Sequence, residues 1–234
     1  MSSGNEIALL IPAYNAESTL GEVLESVKPC SLPILVVNDG STDRTEETAR
    51  KQEVWQVVSH PENRGKGAAL KTGFSIAAEA GFTHVLTFDA DGQHPVESIP
   101  LFLETCQRND EAILVGNRFS DDTIANMPRI RRISNGLSSA LISWAAGTSI
   151  PDAQCGMRIY PLWIFETMHL ESDGYALETE VLVKAGGRQI EVENIPISCH
   201  YPTGTATSRY RALRDSWRIG SIVVRCLLED RKRA

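Results

Sequence analysis

The stretch VLTFDADGQHP, Val85–Pro95, runs a hydrophobic segment straight into two aspartates one residue apart, followed by Gly92, Gln93 and His94. Like charges at the edge of a sheet repel unless something neutralises them. With Gly92 next, the chain can turn where the strand ends and bring Asp89 and Asp91 to one point. Hard divalent cations take oxygen ligands. Mg²⁺ and Mn²⁺ usually bind one or two carboxylates together with substrate phosphates, and Gln93 can add a neutral amide oxygen. Such a cation would bridge the pair to a diphosphate and offset the charge that builds on it as a leaving group. The plain alternative is a solvated acidic turn.

Upstream of this stretch, short apolar runs alternate with helical patterns. EIALLIP, LPILVVND, VWQVVSH and HVLTFD read as strands, and AILVGNR downstream as a fifth. Leu20, Val23, Leu24 and Val27 have helical spacing, with Ser18 or Thr19 as N-cap. STDRTEETARKQ, GKGAALKTGFSIAAEA and VESIPLFLETC complete the alternation, the last with Pro100 calling for a kink or a late start. This order implies an α/β fold with a mostly parallel central sheet and flanking helices. In such sheets ligands bind beyond the carboxyl ends of the strands. Those ends here read PAYNAE, NDGSTD, HPENRGKG, DADGQH and GNR. Turn chemistry explains part of that polarity, but not two aspartates on one edge.

Beyond residue 120 the pattern changes. Arg129 to Trp144 reads as a basic, then apolar helix. CGMRIYP reads as a short strand, YALETEVLVKAG as a helix, and QIEVENIPISCHY as an extended segment interrupted by Pro196. ALRDSWRIGSIVVRCLL reads as a final amphipathic helix. No repeat or low-complexity linker divides the chain. The expectation is one domain of two halves, at about 5–120 and about 121–234.

Bulk properties bound the reading. The 234 residues are 42% hydrophobic and 23% charged, enough for a sizeable core. No apolar run approaches the roughly 20 residues that span a bilayer, and the N-terminus lacks a signal-peptide pattern. Five scattered cysteines without a C-x-x-C pair argue against a disulfide framework or a zinc site, and a cytoplasmic location is expected. From Tyr201 onward eight Lys/Arg face three acids, so the tail is +5 and the preceding residues are −12. Nucleic acid is a poor partner for that acidic body. The basic tail is either a solvated helix face or a surface for anionic lipid.

In order and spacing, IPAYNAE, VVNDGSTDRT, ENRGKGAALKTGF, FDADGQHP and GNR resemble the family-2 glycosyltransferases of GT-A fold. The resemblance covers Ile7 to Arg118 and continues more weakly through DAQCGMRIY and GYALETEVLVKA, where it looks most like the polyprenyl- or dolichyl-phosphate branch. It implies inverting transfer from a nucleotide sugar, UDP- or GDP-linked, with Mg²⁺ or Mn²⁺ at Asp89, Asp91 and Gln93. Carried onto this chain, Pro12, Tyr14, Asn15 and Glu17 match the nucleotide pocket. Asp39 matches the base-reading acid, with Asn38 replacing the usual second acid. Asp43 is expected to cap the following helix. Lys66, between Gly65 and Gly67 at a helix start, favours anions, and Arg118 would hold phosphate. His94 is common in the motif, with a ligand role left open.

The acceptor decides whether a base is needed. A hydroxyl requires one near its proton, whereas a phosphate monoester is already ionised. The candidate acids are Glu178 and Glu180, two apart on a helix so that at most one faces the site, together with Asp152. Glu180 is taken with Asp91 and Arg118 as the catalytic set. Arg131, Arg132, Ser134 and Arg209 fall where the resemblance puts a lipid phosphate, which makes polyprenyl phosphate the expected acceptor and peripheral membrane contact possible. A sugar or lipid hydroxyl is the alternative. A strand ending Asp-x-Asp-Gly also occurs in haloacid-dehalogenase-like phosphatases, but there the motif lies near the start of the chain. GKGAAL lacks the third glycine of a dinucleotide fingerprint and follows the wrong strand. A non-catalytic module keeping the fold is the remaining rival.

Overall fold

The computed structural model describes residues 6–119, 129–198 and 220–228, with residues 129–131 described at the backbone only. Seven strands form one sheet in the order β3-β2-β1-β4-β6-β5-β7. They are β1 (Ile7–Ala13), β2 (Ile34–Asn38), β3 (Gln56–Ser59), β4 (His84–Thr87), β5 (Ile113–Asn117), β6 (Arg158–Pro161) and β7 (Val192–Pro196). Every strand pair is parallel except those of β6, which runs antiparallel to both β4 and β5.

β1 and β2 are continuous apolar runs because helices cover both faces of the sheet, leaving no solvent side for polar residues. α1 (Leu20–Val27) buries Leu20, Val23, Leu24 and Val27, the i, i+3, i+4, i+7 stripe of an amphipathic helix. Each such side chain stabilises the fold by roughly 1.5–3 kcal/mol when fully removed from water. Thr19 is the N-cap residue, but its hydroxyl does not cap its own helix. It donates to the Ala90 carbonyl at 2.6 Å, tying the start of α1 to the loop between the two aspartates.

α2 (Thr45–Arg50) starts just after Asp43, whose Oδ1 accepts the Thr45 backbone N–H at 3.0 Å. α3 (Lys66–Glu79) lies against β1 and β2. α4 (Ile99–Arg108) has Pro100 in its first turn, where the missing N–H costs no internal bond. A 3₁₀ turn at Val96–Ser98 precedes it, so the pattern from Val96 starts late rather than kinking.

The later chain supplies α5 (Arg129–Ala146), α6 (Trp163–Thr167), α7 (Ala176–Gly187) and α8, a helix over residues 220–228. The five-residue α6 is too short for periodicity to reveal. Of the expected extended segment, β7 covers Val192–Pro196; Pro196 is tolerated on this edge strand, and the Ile197 N–H still bonds to the Asn117 carbonyl at 3.0 Å, while residues 199–201 lie outside the described residues. α8 buries Ile222, Val223 and Cys226, so its described part packs into the core.

The chain leaves β1 for β2 and β3 on one side, then returns to β4 on the other. That reversal opens a crevice past the carboxyl ends of β1 and β4, where neighbouring connections diverge to opposite faces. Leu9 pairs with Leu86 and Leu10 with Thr87, so the loops carrying Tyr14 and Asp89 emerge side by side.

Candidate active site

A cleft of about 600 Å³ occupies this crevice. Pro12, Tyr14 and Asn15 line it from β1, Asp39 from β2, Lys66 from the start of α3, and Asp89, Asp91, Gln93 and His94 from beyond β4. Arg118, Gln154, Tyr175, Glu178 and Thr179 close the other side. Residues almost 170 positions apart in the chain thus meet at one wall.

Asp89 is the electrostatic centre. Lys66 Nζ lies 2.7 Å from its Oδ1, and His94 Nε2 lies 3.0 Å from its Oδ2. Lys66 also donates to Glu178 at 3.2 Å and sits 5.9 Å from the centre of the Tyr175 ring. Burial would lower the Lys66 pKa, but the Asp89 and Glu178 charges outweigh it and raise the pKa above its ordinary value. Burial would likewise raise the Asp89 carboxyl, yet the Lys66 ammonium and the His94 hydrogen bond hold it well below the carboxylate range. Asp91 goes the other way. Burial, then the Asp89 charge, pushes its pKa up.

Two backbone features make the pair possible. Gly92 adopts φ +72°, the left-handed turn that β-carbons disfavour, and the Gln93 N–H then donates to Asp91 Oδ1 at 3.1 Å. Gly156, in the loop before β6, presses on Asp89. A β-carbon there would lie 2.2 Å from Asp89 Oδ2. No sequence signal marks Gly156, since its partner lies across the sheet.

Several residues do other work than the sequence suggests. Asp39 lines the cleft, but its carboxylate accepts from the Arg64 and Gly65 N–H groups at 3.0 and 2.7 Å and contacts His60 Nδ1 at 2.7 Å. The anion beside the start of α3 is therefore the chain's own Asp39. Three of roughly four acceptor positions on that carboxylate are engaged. The Ala68 N–H, in the first turn of α3, bonds to the Asp173 carbonyl. Asn15 holds φ +46° and accepts the Thr42 N–H through Oδ1, joining the β1 and β2 loops.

Glu17 is a correction: it does not line the cleft. Its carboxylate accepts the Arg44 backbone N–H at 3.0 Å on the protein surface.

Arg118 reaches the cleft wall, yet it is 3% exposed and bonded to Asp152 through N, Nε and Nη2 at 2.7–3.0 Å. That pairing occupies Asp152 and fixes the guanidinium at the cleft wall. Glu180 as a catalytic residue is a second correction. It is fully buried on the side of α7 away from the cleft, accepting from Lys184 at 2.8 Å and from the Glu171 and Ser172 N–H groups. Burial would raise its pKa, but the Lys184 and Ser172 hydrogen bonds bring it down to about 2. The two-residue spacing turns Glu178 towards Lys66 and Glu180 into the core, as 100° per residue requires.

Of the expected acceptor residues, Arg132 is exposed and Ser134 half-buried, and neither lines the cleft. Asn135, one position on, does. The Arg131 side chain and Arg209 lie outside the described residues. Arg158 was not anticipated. Fully buried, it donates to the carbonyls of Cys155, Ala153 and Glu178 and to the Tyr160 hydroxyl at 2.7–3.0 Å. It fastens the Gly156 loop to α7. A lone arginine inside the apolar strand CGMRIYP was the signal available.

Asp89 and Asp91 offer hard oxygen donors, with the Lys66 ammonium and the His94 ring bonded to Asp89. Among the described residues no group of three or more His, Cys, Asp or Glu is gathered to hold a metal ion. Two carboxylates and an amide are oxygen donors of the kind Mg²⁺ and Mn²⁺ take alongside substrate oxygens.

The crossover sheet with an acidic cleft at its switch point defines a nucleotide-binding fold of GT-A type. The crystal structure of glucosyl-3-phosphoglycerate synthase from Mycobacterium tuberculosis, with Mn²⁺, UDP and glucosyl-3-phosphoglycerate, shares it at TM-score 0.68 and 19% identity, covering 97% of this chain and 80% of that one. The model of glycosyl transferase family 2 matches residues 8–168, and the chain belongs to that family. It is a glycosyltransferase, most like the branch acting on polyprenyl or dolichyl phosphate. An uncharacterised protein of Methanocaldococcus jannaschii is 32% identical over 84% of this chain and 82% of its own. The dolichyl-phosphate hexose transferase of Haloferax volcanii is 26% identical over 98% of this chain and 97% of its own.

Proposed function

We propose that the protein is an inverting, divalent-metal-dependent hexosyltransferase that moves a sugar from a UDP- or GDP-linked donor to polyprenyl phosphate. The observation that carries this is Asp89 and Asp91 at the carboxyl end of β4, with Lys66 bonded to Asp89, on the wall of a nucleotide-sized cleft. Asp89, Asp91 and Gln93 would hold Mg²⁺ or Mn²⁺, whose charge offsets that of the departing diphosphate. Tyr14 offers a ring face to the base. The remaining acceptor capacity of Asp39 suits the ring N–H of uracil or guanine. Lys66 is placed to hold diphosphate oxygens, with Glu178 steadying its ammonium.

Inversion follows when the acceptor oxygen attacks the anomeric carbon on the face opposite the diphosphate. A phosphate monoester brings an oxygen already ionised, so no residue need remove a proton. Glu180 and Asp152 are both committed to buried cations, which supports an acceptor of that kind. Glu178 lines the cleft, and this favours a second reading in which it serves a hydroxyl acceptor as base. The relatives named for dolichyl phosphate support the first. Work at the cytoplasmic face of a membrane, with peripheral contact, accords with it. Among the described residues no helix is long and apolar enough to cross a bilayer.

A thermal-shift series with UDP- and GDP-sugars, with Mn²⁺ and with chelator, tests donor and metal together. Stabilisation by one nucleotide sugar only with metal, lost in Asp91→Ala, is expected. Equal stabilisation in chelator refutes the metal role. Glu178→Gln separates the acceptors: turnover persists with a phosphate acceptor and is abolished with a hydroxyl acceptor.

A further inference from the structure

Among the described residues eleven large hydrophobic side chains are exposed, and four of them lie on α5. Ile133, Leu137, Leu141 and Trp144 are 69%, 72%, 37% and 70% exposed. Their spacing of four, four and three confines them to one narrow stripe. The other exposed hydrophobics are spread over six separate elements and loops, as single ones are on any soluble surface. Ile142 and Ala146, on the opposite side of α5, are buried, so the helix is apolar on two faces and only one is packed.

The charge of this helix is also unlike the rest. Its sequence, RIRRISNGLSSALISWAA, carries Arg129, Arg131 and Arg132 and no acid, in a chain whose net charge is −7. An exposed apolar stripe led by a basic end, in an otherwise acidic protein, suits an anionic lipid surface. A second copy docking helix to helix would bring no acid to pair these arginines, since the helix carries none. At 18 residues α5 is about 27 Å long, and it is not apolar enough to span a membrane.

We infer that the Ile133–Leu137–Leu141–Trp144 face of α5 is a membrane-docking surface that seats the protein on anionic lipid. Asn135, on the opposite side of the same helix, forms part of the cleft wall. Docking by the stripe therefore sets the cleft against the bilayer surface at a distance of one helix diameter, about 10 Å. A phosphate at the headgroup level then needs little travel to reach Asn135 and the cleft beyond it. The orientation rests on the lipid-phosphate reading above, whereas the docking itself does not.

Vesicle co-sedimentation of the full chain, without donor or acceptor, tests the surface. Phosphatidylglycerol–phosphatidylcholine vesicles should capture the protein, pure phosphatidylcholine should do so several-fold less, and high salt should weaken capture. Leu137→Glu and Trp144→Glu should each reduce capture roughly tenfold or more. Because both side chains already face solvent, melting temperature should hold, as should transfer to detergent-solubilised polyprenyl phosphate. Capture of either variant at the wild-type level overturns the proposal. So does a solution dimer that Trp144→Glu dissociates, which would assign the stripe to a second copy. Failure of the lipid-phosphate reading would appear separately, as absence of transfer in detergent with vesicle capture intact.

Discussion

Replacing Gly156 by alanine tests whether the acidic pair is held by shape. The added methyl group would lie 2.2 Å from Asp89 Oδ2, 2.7 Å from its Cγ and 2.8 Å from Oδ1. Ordinary contact distances require a retreat of about 1 Å. Asp89 cannot retreat freely, because Lys66 at 2.7 Å and His94 at 3.0 Å grip both its oxygens. Overpacking of this kind costs about 1–3 kcal/mol, and loosening one charge-assisted bond costs a similar amount. The two together come to about 2–6 kcal/mol, and at about 2–4 °C per kcal/mol for a chain of this size melting should fall by roughly 5–20 °C. A misplacement near 1 Å should cost about 100-fold in turnover. Manganese binding in the presence of UDP, followed by electron paramagnetic resonance, should weaken in parallel, while circular dichroism shows a folded protein. If Gly156→Ala melts lower yet binds manganese and turns over as the wild type does, the loop is ordinary packing and the reasoning fails.

Asp152→Asn should be severe, because it leaves the buried Arg118 guanidinium without its counter-charge. A loss of about 3–5 kcal/mol is expected in denaturant titrations, and unchanged stability with weakened donor binding would instead make Arg118 a phosphate arm. Glu180 titrates at about 2 in the folded protein against 4.5 for the free group. Its depressed pKa contributes stability present above pH 4.5 and lost as pH falls towards 2, of the order of 3 kcal/mol. Glu180→Gln should therefore destabilise at neutral pH and flatten the acid limb of a stability–pH curve, while KM for donor stays near wild type. Lys66→Met sets Asp89 and Glu178 facing each other without a cation. The variant should melt lower in chelator and gain more from added Mn²⁺ than the wild type, and an equal gain in both proteins contradicts that charge balance.

Much of the architecture was legible because it is local. Strands such as LLIPA and LVVND carry their burial in unbroken apolar runs, and α1 carries its burial in periodicity. The polar strand ends located the crevice, since a parallel sheet gathers those ends on one edge. The direction of β6 was hidden, as four residues read alike in either sense, and its antiparallel insertion follows from its bonds to β4 and β5.

At the site, the chain alone determined which chemistry is available: paired carboxylates ending a buried strand, a lysine opening a helix, and acids two apart on α7. It did not determine which of these groups are already spoken for. Glu180 and Glu178 differ by two positions, yet one is bound by Lys184 in the core and the other faces Lys66 in the cleft. Arg118 meets Asp152 34 positions away, and Gly156 leans on an aspartate 67 positions before it. Such pairings depend on distances across the sheet, which no local pattern encodes, so only the folded chain could decide them.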